Sequence, residues 1–309
     1  MIISICVPCY NEEENVVQMY KALTHIAEKN KKYSFEFLFT DNKSTDTTKT
    51  LIQKLARKDK RVKGVFLSRN FGSEASGQAA LSFSTGDAFI ALSCDFQDPP
   101  EMIPFFIKKW EEGFQVVMGA YKKNKDNVVM SFIRDMFYTI FQNISNITIS
   151  RNVTGFGLLD KKVVLALRSL PEKYRFTRGL TAWVGFRQIT IPYERKMRER
   201  GKSSYNMFDY IKQAERGIFG FSYLVLDLMV YGGFILVILS FLFIVGYLYT
   251  VIVIGNPIKA SIPTLLSVFF FGGIQLLSVS VIGKYIQVLV EETKNRPLYI
   301  VDETVNIKK

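Results

Sequence analysis

Over residues 1–220 short apolar runs alternate with stretches in which apolar residues recur at helical spacing. Ile2–Val7, Ser34–Thr40, Val62–Leu67 and Asp87–Cys94 read as strands. Between and after them Glu12–Glu28, Asp46–Lys58, Ser73–Ser84 and Glu101–Glu112 read as helices. Strand and helix in alternation imply a mostly parallel sheet with helices on both faces.

The pattern changes after residue 220. Residues 228–254 carry no charged side chain, and neither do residues 260–283. Each stretch is long enough to cross about 30 Å of hydrocarbon as a helix. The connector Gly255-Asn256-Pro257-Ile258-Lys259 is short, so the two form a hairpin. Lys212, Arg216, Lys284, Lys294, Arg296, Lys308 and Lys309 flank it on the terminal sides, against Lys259 alone in the connector. The positive-inside rule then places both termini and the soluble part in the cytoplasm, at the cell membrane. Met207, Ile211, Ala214, Ile218 and Phe221 share one helical face beside the first span, together with Lys212 and Arg216, as an interfacial helix would. Val129, Ile133, Met136, Ile140, Ile144 and Ile147 make a similar stripe that suits core packing and membrane contact equally. The expected division is a catalytic domain over 1–205, an amphipathic juxtamembrane helix over 206–222, two spans within 223–290 and a cytoplasmic tail over 291–309.

The 309-residue chain has a formal net charge of +12, which calls for an anionic partner such as nucleic acid, a membrane surface or a phosphorylated substrate. No nucleic-acid-binding module is present, and the charge gathers near the spans. Cys6, Cys9 and Cys94 lack metal-site spacing and read as free thiols of a reducing compartment. The first strand starts almost at Met1, so no signal peptide is expected. His25 is the only histidine and falls mid-helix, which excludes a histidine-dependent triad.

Polar clusters stand at the carboxyl end of each strand: Pro8-Cys9-Tyr10-Asn11-Glu12, then Asp41-Asn42-Lys43-Ser44-Thr45-Asp46, then Ser68-Arg69-Asn70-Phe71-Gly72. The fourth is Ser93-Cys94-Asp95-Phe96-Gln97-Asp98-Pro99-Pro100-Glu101. Ligands of open α/β sheets bind at this edge. A ring such as Tyr10 stacks on a base, and a carboxylate such as Asp41 accepts from a base N–H. Oxygen ligands clustered around Asp95 suit a hard divalent cation on a diphosphate. Individually the clusters also read as turns and helix caps. Neither a P-loop nor a dinucleotide-binding glycine motif follows the first strand.

Taken in order, these clusters resemble the inverting family-two glycosyltransferases of GT-A fold. Within them, the chain is similar to the dolichyl-phosphate-mannose synthases and the bacterial polyprenyl-phosphate (bactoprenol) glycosyltransferases. Arg175-Phe176-x-Arg178-Gly179-Leu180, Arg198-x-x-Gly201-Lys202-Ser203 and the pair of spans match as well. The resemblance implies that Pro8, Tyr10, Glu12 and Asp41 hold the nucleoside, with Arg69 and Lys202 also on the nucleotide sugar. Asp95 and Gln97 bind Mg²⁺ or Mn²⁺ on the sugar diphosphate. Arg198 and Ser203 reach the donor diphosphate or the acceptor phosphate, and Arg134 is a further, weaker candidate for the latter. The implied partners are a nucleotide sugar, most simply UDP-linked glucose or N-acetylglucosamine, a polyprenyl phosphate and membrane lipid. A homo-oligomer is left open. The chain departs from the family at Ser93, where an Asp-x-Asp motif has its first aspartate. It departs again at Gly155-Phe156-Gly157-Leu158 in place of Asp-Phe-Arg-Leu, at Asp41-Asn42-Lys43-Ser44 in place of Asp-Asp-Gly-Ser, and at Ser204 in place of lysine. Competing readings are a membrane-tethered nucleotide-sugar binder without turnover and a processive polysaccharide synthase. The latter carries a Gln-x-x-Arg-Trp motif absent from this sequence.

Overall fold

The computed structural model describes residues 1–121, 152–195, 215–217, 219–254 and 261–307. The apolar stripe of 129–147, most of the expected interfacial helix, the connector between the spans, and Arg134, Arg198, Lys202 and Ser203 lie outside the described residues.

Eight strands form one sheet in the order β7-β5-β6-β4-β1-β2-β3-β8. They are β1 (Ile2–Cys9), β2 (Ser34–Asp41), β3 (Val62–Leu67), β4 (Ala88–Ala91), β5 (Val116–Tyr121), β6 (Val153–Asp160), β7 (Gln188–Tyr193) and β8 (Val301–Val305). The four strands read from the sequence make its parallel centre: β1 pairs in parallel with β2 and β4, and β2 with β3. The flanks are mixed. β6 runs antiparallel to β4 and β5, β5 and β7 are parallel, and β8 runs antiparallel to β3.

Alternation along the strands supplies both faces. Phe35, Phe37 and Phe39 of β2 point into a core shared with α1 (Val16–Lys29), α2 (Thr48–Lys58) and α4 (Ile103–Glu111). Leu38, between them, packs with α3 (Ser73–Phe83) and α5 (Lys161–Ser169) on the other side. Successive strand side chains point to opposite faces, so an unbroken apolar run in β2 is what burial on both sides demands. On α1 the buried Val16, Met19, Leu23, Ile26 and Ala27 form one stripe, while His25 is exposed. The strand expected over Asp87–Cys94 is shorter, because the chain turns at Asp95, whose carboxylate accepts from the Gln97 amide at 3.2 Å, and Phe96 takes a left-handed φ of 59°. The helix expected over Glu101–Glu112 opens with a 3₁₀ turn, Pro100–Met102, before α4.

At the opposite end of the sheet Glu36 is buried. It accepts from Ser4 Oγ at 2.5 Å, from Thr85 N at 2.7 Å and Thr85 Oγ1 at 2.6 Å, and from Lys63 Nζ. Burial alone would raise the Glu36 carboxyl, but Lys63, Ser4 and Thr85 outweigh it and hold the group below its usual range.

A short helix, α6 (Thr177–Trp183), precedes β7. Beyond the sheet, α7 (Leu224–Tyr249) ends in a π-helical turn, Thr250–Ile254, and α8 (Ser261–Thr293) runs for 33 residues, about 50 Å. Both helices are long and apolar enough to cross a membrane. Their large side chains stand outward, Phe243 at 74% and Leu276 at 72% exposure, a surface that water would not tolerate. α8 continues ten residues past the apolar stretch, where Lys284 pairs with Glu215 at 3.2 Å.

The segment after α8 was expected to be a tail. Instead β8 closes the edge of β3, with Val65 opposite Thr304 and a register shift after Phe66. Its side chains bind α2: Glu303 accepts from Gln53 at 2.8 Å and pairs with Lys49 at 2.8 Å. Asn306 Nδ2 donates to the carbonyls of Ala56 and Val62 at 2.6 and 2.9 Å. An alternation too short and too charged to read as a strand becomes one because β3 offers it an unpaired edge.

Candidate functional site

The carboxyl ends of β1, β2, β3 and β4 lie side by side, which brings Tyr10, Asp41, Arg69 and Asp95 to one edge. The loops there are bound to one another before any ligand arrives. Asn11, at a φ of 55°, donates its amide to Ser44 Oγ at 2.9 Å and accepts from Thr45 N at 2.8 Å. The Glu12 amide donates to Thr48 Oγ1 at 2.9 Å, and the Glu12 carboxylate accepts from the buried Asn15 at 2.6 Å. Glu13 accepts from both the amide and hydroxyl of Thr47 at 3.0 and 2.7 Å.

Asp41 is buried at the mouth of this frame and accepts from the Ser44 amide at 3.2 Å. Burial raises its carboxyl above the usual range despite the Ser44 hydrogen bonds, and Asp46 adds to the rise. It does not cap the helix that follows, whose N-cap residue is Thr47; Asp46, one residue earlier, accepts from Thr48 N at 3.0 Å. Asn42, passed over in the sequence, joins the second and third clusters. Its Nδ2 donates to Asn70 Oδ1 at 2.9 Å and Gly72 O at 3.2 Å, and its Oδ1 accepts from Phe71 N at 2.9 Å. Arg69 is exposed and lies over the Phe71 ring, 4.1 Å from its centroid.

The fourth cluster is held from below. Asp98 is buried and accepts from Ser93 Oγ at 3.0 Å and from Tyr193 Oη of β7. Burial pushes Asp98 up, against the hydrogen bonds of Tyr193 and Ser93 and the charge of Arg195. Tyr193 is raised well above the ordinary phenol range, by burial first and by Asp98 next. Ser93, where the family has an acid, therefore serves as a strut for Asp98. Gln97, expected on a metal, has its Oε1 engaged by Arg195 Nη2 at 2.5 Å. Tyr193 carries no sequence signal, and Arg195 reads only as part of the basic run Arg195-Lys196-x-Arg198-x-Arg200 that suits anionic lipid and substrate; they come from the end of β7 and the residues just after it, about 95 residues further on.

Asp95 keeps a half-exposed carboxylate at this edge. Among the described residues no three His, Cys, Asp or Glu side chains converge on one point. One carboxylate with the oxygens of a bound diphosphate still fits a hard cation such as Mg²⁺, which is usually held by one or two carboxylates and substrate phosphates.

A parallel-centred sheet that gathers four polar loops on one edge and is followed by two long apolar helices matches the architecture expected of a GT-A-type glycosyltransferase. The chain belongs to glycosyl transferase family 2, whose profile matches residues 4–167. The bactoprenol glucosyl transferase of Shigella phage SfX is 35% identical over 302 residues, 97% of this chain and 99% of that protein. The prophage bactoprenol glucosyl transferase homolog of Escherichia coli (strain K12) is 34% identical over 302 residues, 97% of this chain and 98% of that protein. Among solved structures, S. aureus TarS 1-349 in complex with UDP-GlcNAc aligns with 72% of this chain and 67% of its own, at 17% identity and a TM-score of 0.45.

Proposed function

We propose that this glycosyltransferase moves glucose from a UDP-linked donor to a polyprenyl phosphate at the membrane surface, inverting the anomeric centre. The observation that carries the reading is the full-length match to bactoprenol glucosyl transferases, which takes in the catalytic sheet and the apolar helix pair together. Pro8, Tyr10, Glu12 and Asp41 hold the nucleoside on a frame already braced through Asn11 and Ser44. A divalent cation bound through Asp95 would stabilise the charge that builds on the departing diphosphate. Gln97, tied to Arg195, orients that loop rather than the cation. Arg198, Lys202 and Ser203 are assigned to the phosphates, with Arg134 second in line for the acceptor.

A phosphate monoester has a second pKa near 6 and is largely dianionic at neutral pH, so it attacks with little help from a base. That agrees with a site whose nearby acids, Asp41 and Asp98, are committed to neighbouring donors. The α7–α8 pair is proposed as a membrane hairpin with the catalytic domain and both termini in the cytoplasm. Its two ends return to one domain, through Phe221 just before α7, whose ring meets that of Phe176 at 6.1 Å between centroids, and through Glu292 at the end of α8.

The test offers UDP-glucose, UDP-N-acetylglucosamine and GDP-mannose to the purified protein in vesicles containing undecaprenyl phosphate. A singly glucosylated lipid is expected. Donor binding without transfer would favour the tethered-binder reading, and stepwise addition of several sugars would favour a synthase.

A further inference from the structure

We infer that Glu292 is a positioning residue that fixes the sheet edge at a set height over the bilayer, and thereby sets how well a membrane-embedded acceptor reaches the site. The inference rests on the lipid-acceptor reading above. A carboxylate in the last turn of a helix faces the negative end of the helix dipole and is disfavoured there. Glu292 occupies that turn of α8. Its compensation comes from another element: Oε1 accepts from the backbone N–H of Lys173 at 2.9 Å and of Tyr174 at 2.7 Å, and Oε2 from Lys173 at 3.0 Å.

The loop that receives it is tied down by hydrogen bonds. Arg175 is buried, and its guanidinium donates to Glu172 O at 2.8 Å, Leu167 O at 3.2 Å, Leu170 O and Gln78 Oε1 at 2.8 Å. Two residues on, Thr177 Oγ1 donates to Glu74 at 2.5 Å, in the first turn of α3. That helix starts immediately after Arg69-Asn70-Phe71-Gly72, so the brace ends at the site. Two turns before Glu292, Tyr285 Oη donates to Ser222 O at 2.9 Å and its ring meets Phe219 edge-on at 5.1 Å between centroids. Beyond Glu292 the chain reaches Ile300, whose carbonyl accepts from Ser68 N at 2.9 Å, next to Arg69. The end of the apolar helix is thus pinned to two segments that both lead to the active edge, and Glu292 is the charged pin.

The experiment compares wild type with Glu292→Ala and Glu292→Gln on two acceptors: undecaprenyl phosphate in phosphatidylglycerol vesicles and a water-soluble short-chain prenyl phosphate. Hydrogen exchange at Lys173 and Tyr174 is followed in parallel. Hydrogen bonds to a charged group carry enough free energy that Glu292→Ala should lose about tenfold in turnover on the vesicle lipid. It should stay within about twofold of wild type on the soluble acceptor, while the two amides exchange about tenfold faster. Glu292→Gln keeps one acceptor oxygen and should fall between, which decides the matter if the alanine variant does not fold. Equal losses on both acceptors, or an unchanged rate on the vesicle lipid, overturn the inference. Wild type that transfers to neither acceptor defeats the lipid-acceptor reading instead. Unchanged amide exchange in that case overturns the role of Glu292 as well.

Discussion

Asp95 is the side chain on which the proposed chemistry turns. Its neighbours are occupied: Asp98 by Ser93 and Tyr193, and Gln97 by Arg195. With Ser93 in place of the usual first acid, no second carboxylate among the described residues joins it in a metal-holding cluster. Asp95→Asn is expected to lower kcat by at least about 100-fold while UDP affinity falls much less, since the charge it helps stabilise develops in the transition state. Transfer assays across Mg²⁺ and Mn²⁺ titrations check this; near-normal turnover at low metal would reject the assignment. Glu36 governs a different property. Its carboxyl is held below the usual range in the folded state, so its contribution is present above the unfolded value near pH 4.3 and is lost as pH falls through the lower folded value. Glu36→Gln leaves the Lys63 ammonium, 19% exposed, without its carboxylate and should cost about 3 kcal/mol at neutral pH. The gap between variant and wild type should narrow as the pH drops below about 4. Thermal unfolding of both in detergent over the acid range measures it, and a gap independent of pH would show that Glu36 is not the titrating group.

At the scale of elements, the parallel centre was legible because every strand there is buried on both faces and writes itself as an apolar run. The clusters following those runs were legible for the same reason: once the strands are placed, their carboxyl ends are known. Less was visible on the flanks. β5, β6 and β7 come from a stretch where strand and helix no longer alternate regularly, and the Asp98–Tyr193 contact joins residues 95 apart. β8 was hidden because Asp302 and Glu303 break its apolar pattern, and their partners Lys43 and Lys49 belong to another part of the chain. Gly157 explains one departure from the family. In β6 a Cβ at this position would meet the Val117 carbonyl at 2.4 Å and Met118 Cα at 3.0 Å, beside a register shift in the β5–β6 pairing. These backbone atoms of β5 do not yield as a flexible side chain does. Gly157→Ala is therefore expected to destabilise the domain by about 1–3 kcal/mol. A fall in apparent Tm of several degrees would bear this out, and an unchanged Tm would mean that the two strands separate at little cost.

On the scale of the whole molecule, a basic chain of 309 residues joins a glycosyltransferase domain to two helices long and apolar enough to cross a membrane, and its charge suits the anionic reactants proposed for it. The proposed orientation is open to direct measurement. Single cysteines at Lys43 and Asn256, in a background where buried Cys6, Cys9 and Cys94 are replaced, should differ in intact cells. An impermeant thiol reagent should label position 256 and spare position 43. The reverse pattern would put the catalytic edge outside, away from a cytosolic pool of nucleotide sugar.

The pairing of β8 with β3 also has a consequence for biosynthesis. β3 leaves the ribosome more than 200 residues before β8, and both apolar helices are made in between. Until β8 arrives, β3 presents an open row of backbone donors and acceptors, the kind of edge on which strands of neighbouring chains add. The last strand can close that edge only after the polypeptide has passed through α7 and α8, so completion of the sheet waits on the hairpin. A nascent chain stalled between the two events would carry the loops of the polar edge but leave one side of the sheet uncovered, and the time taken to make and place the two apolar helices would decide how long it stayed so.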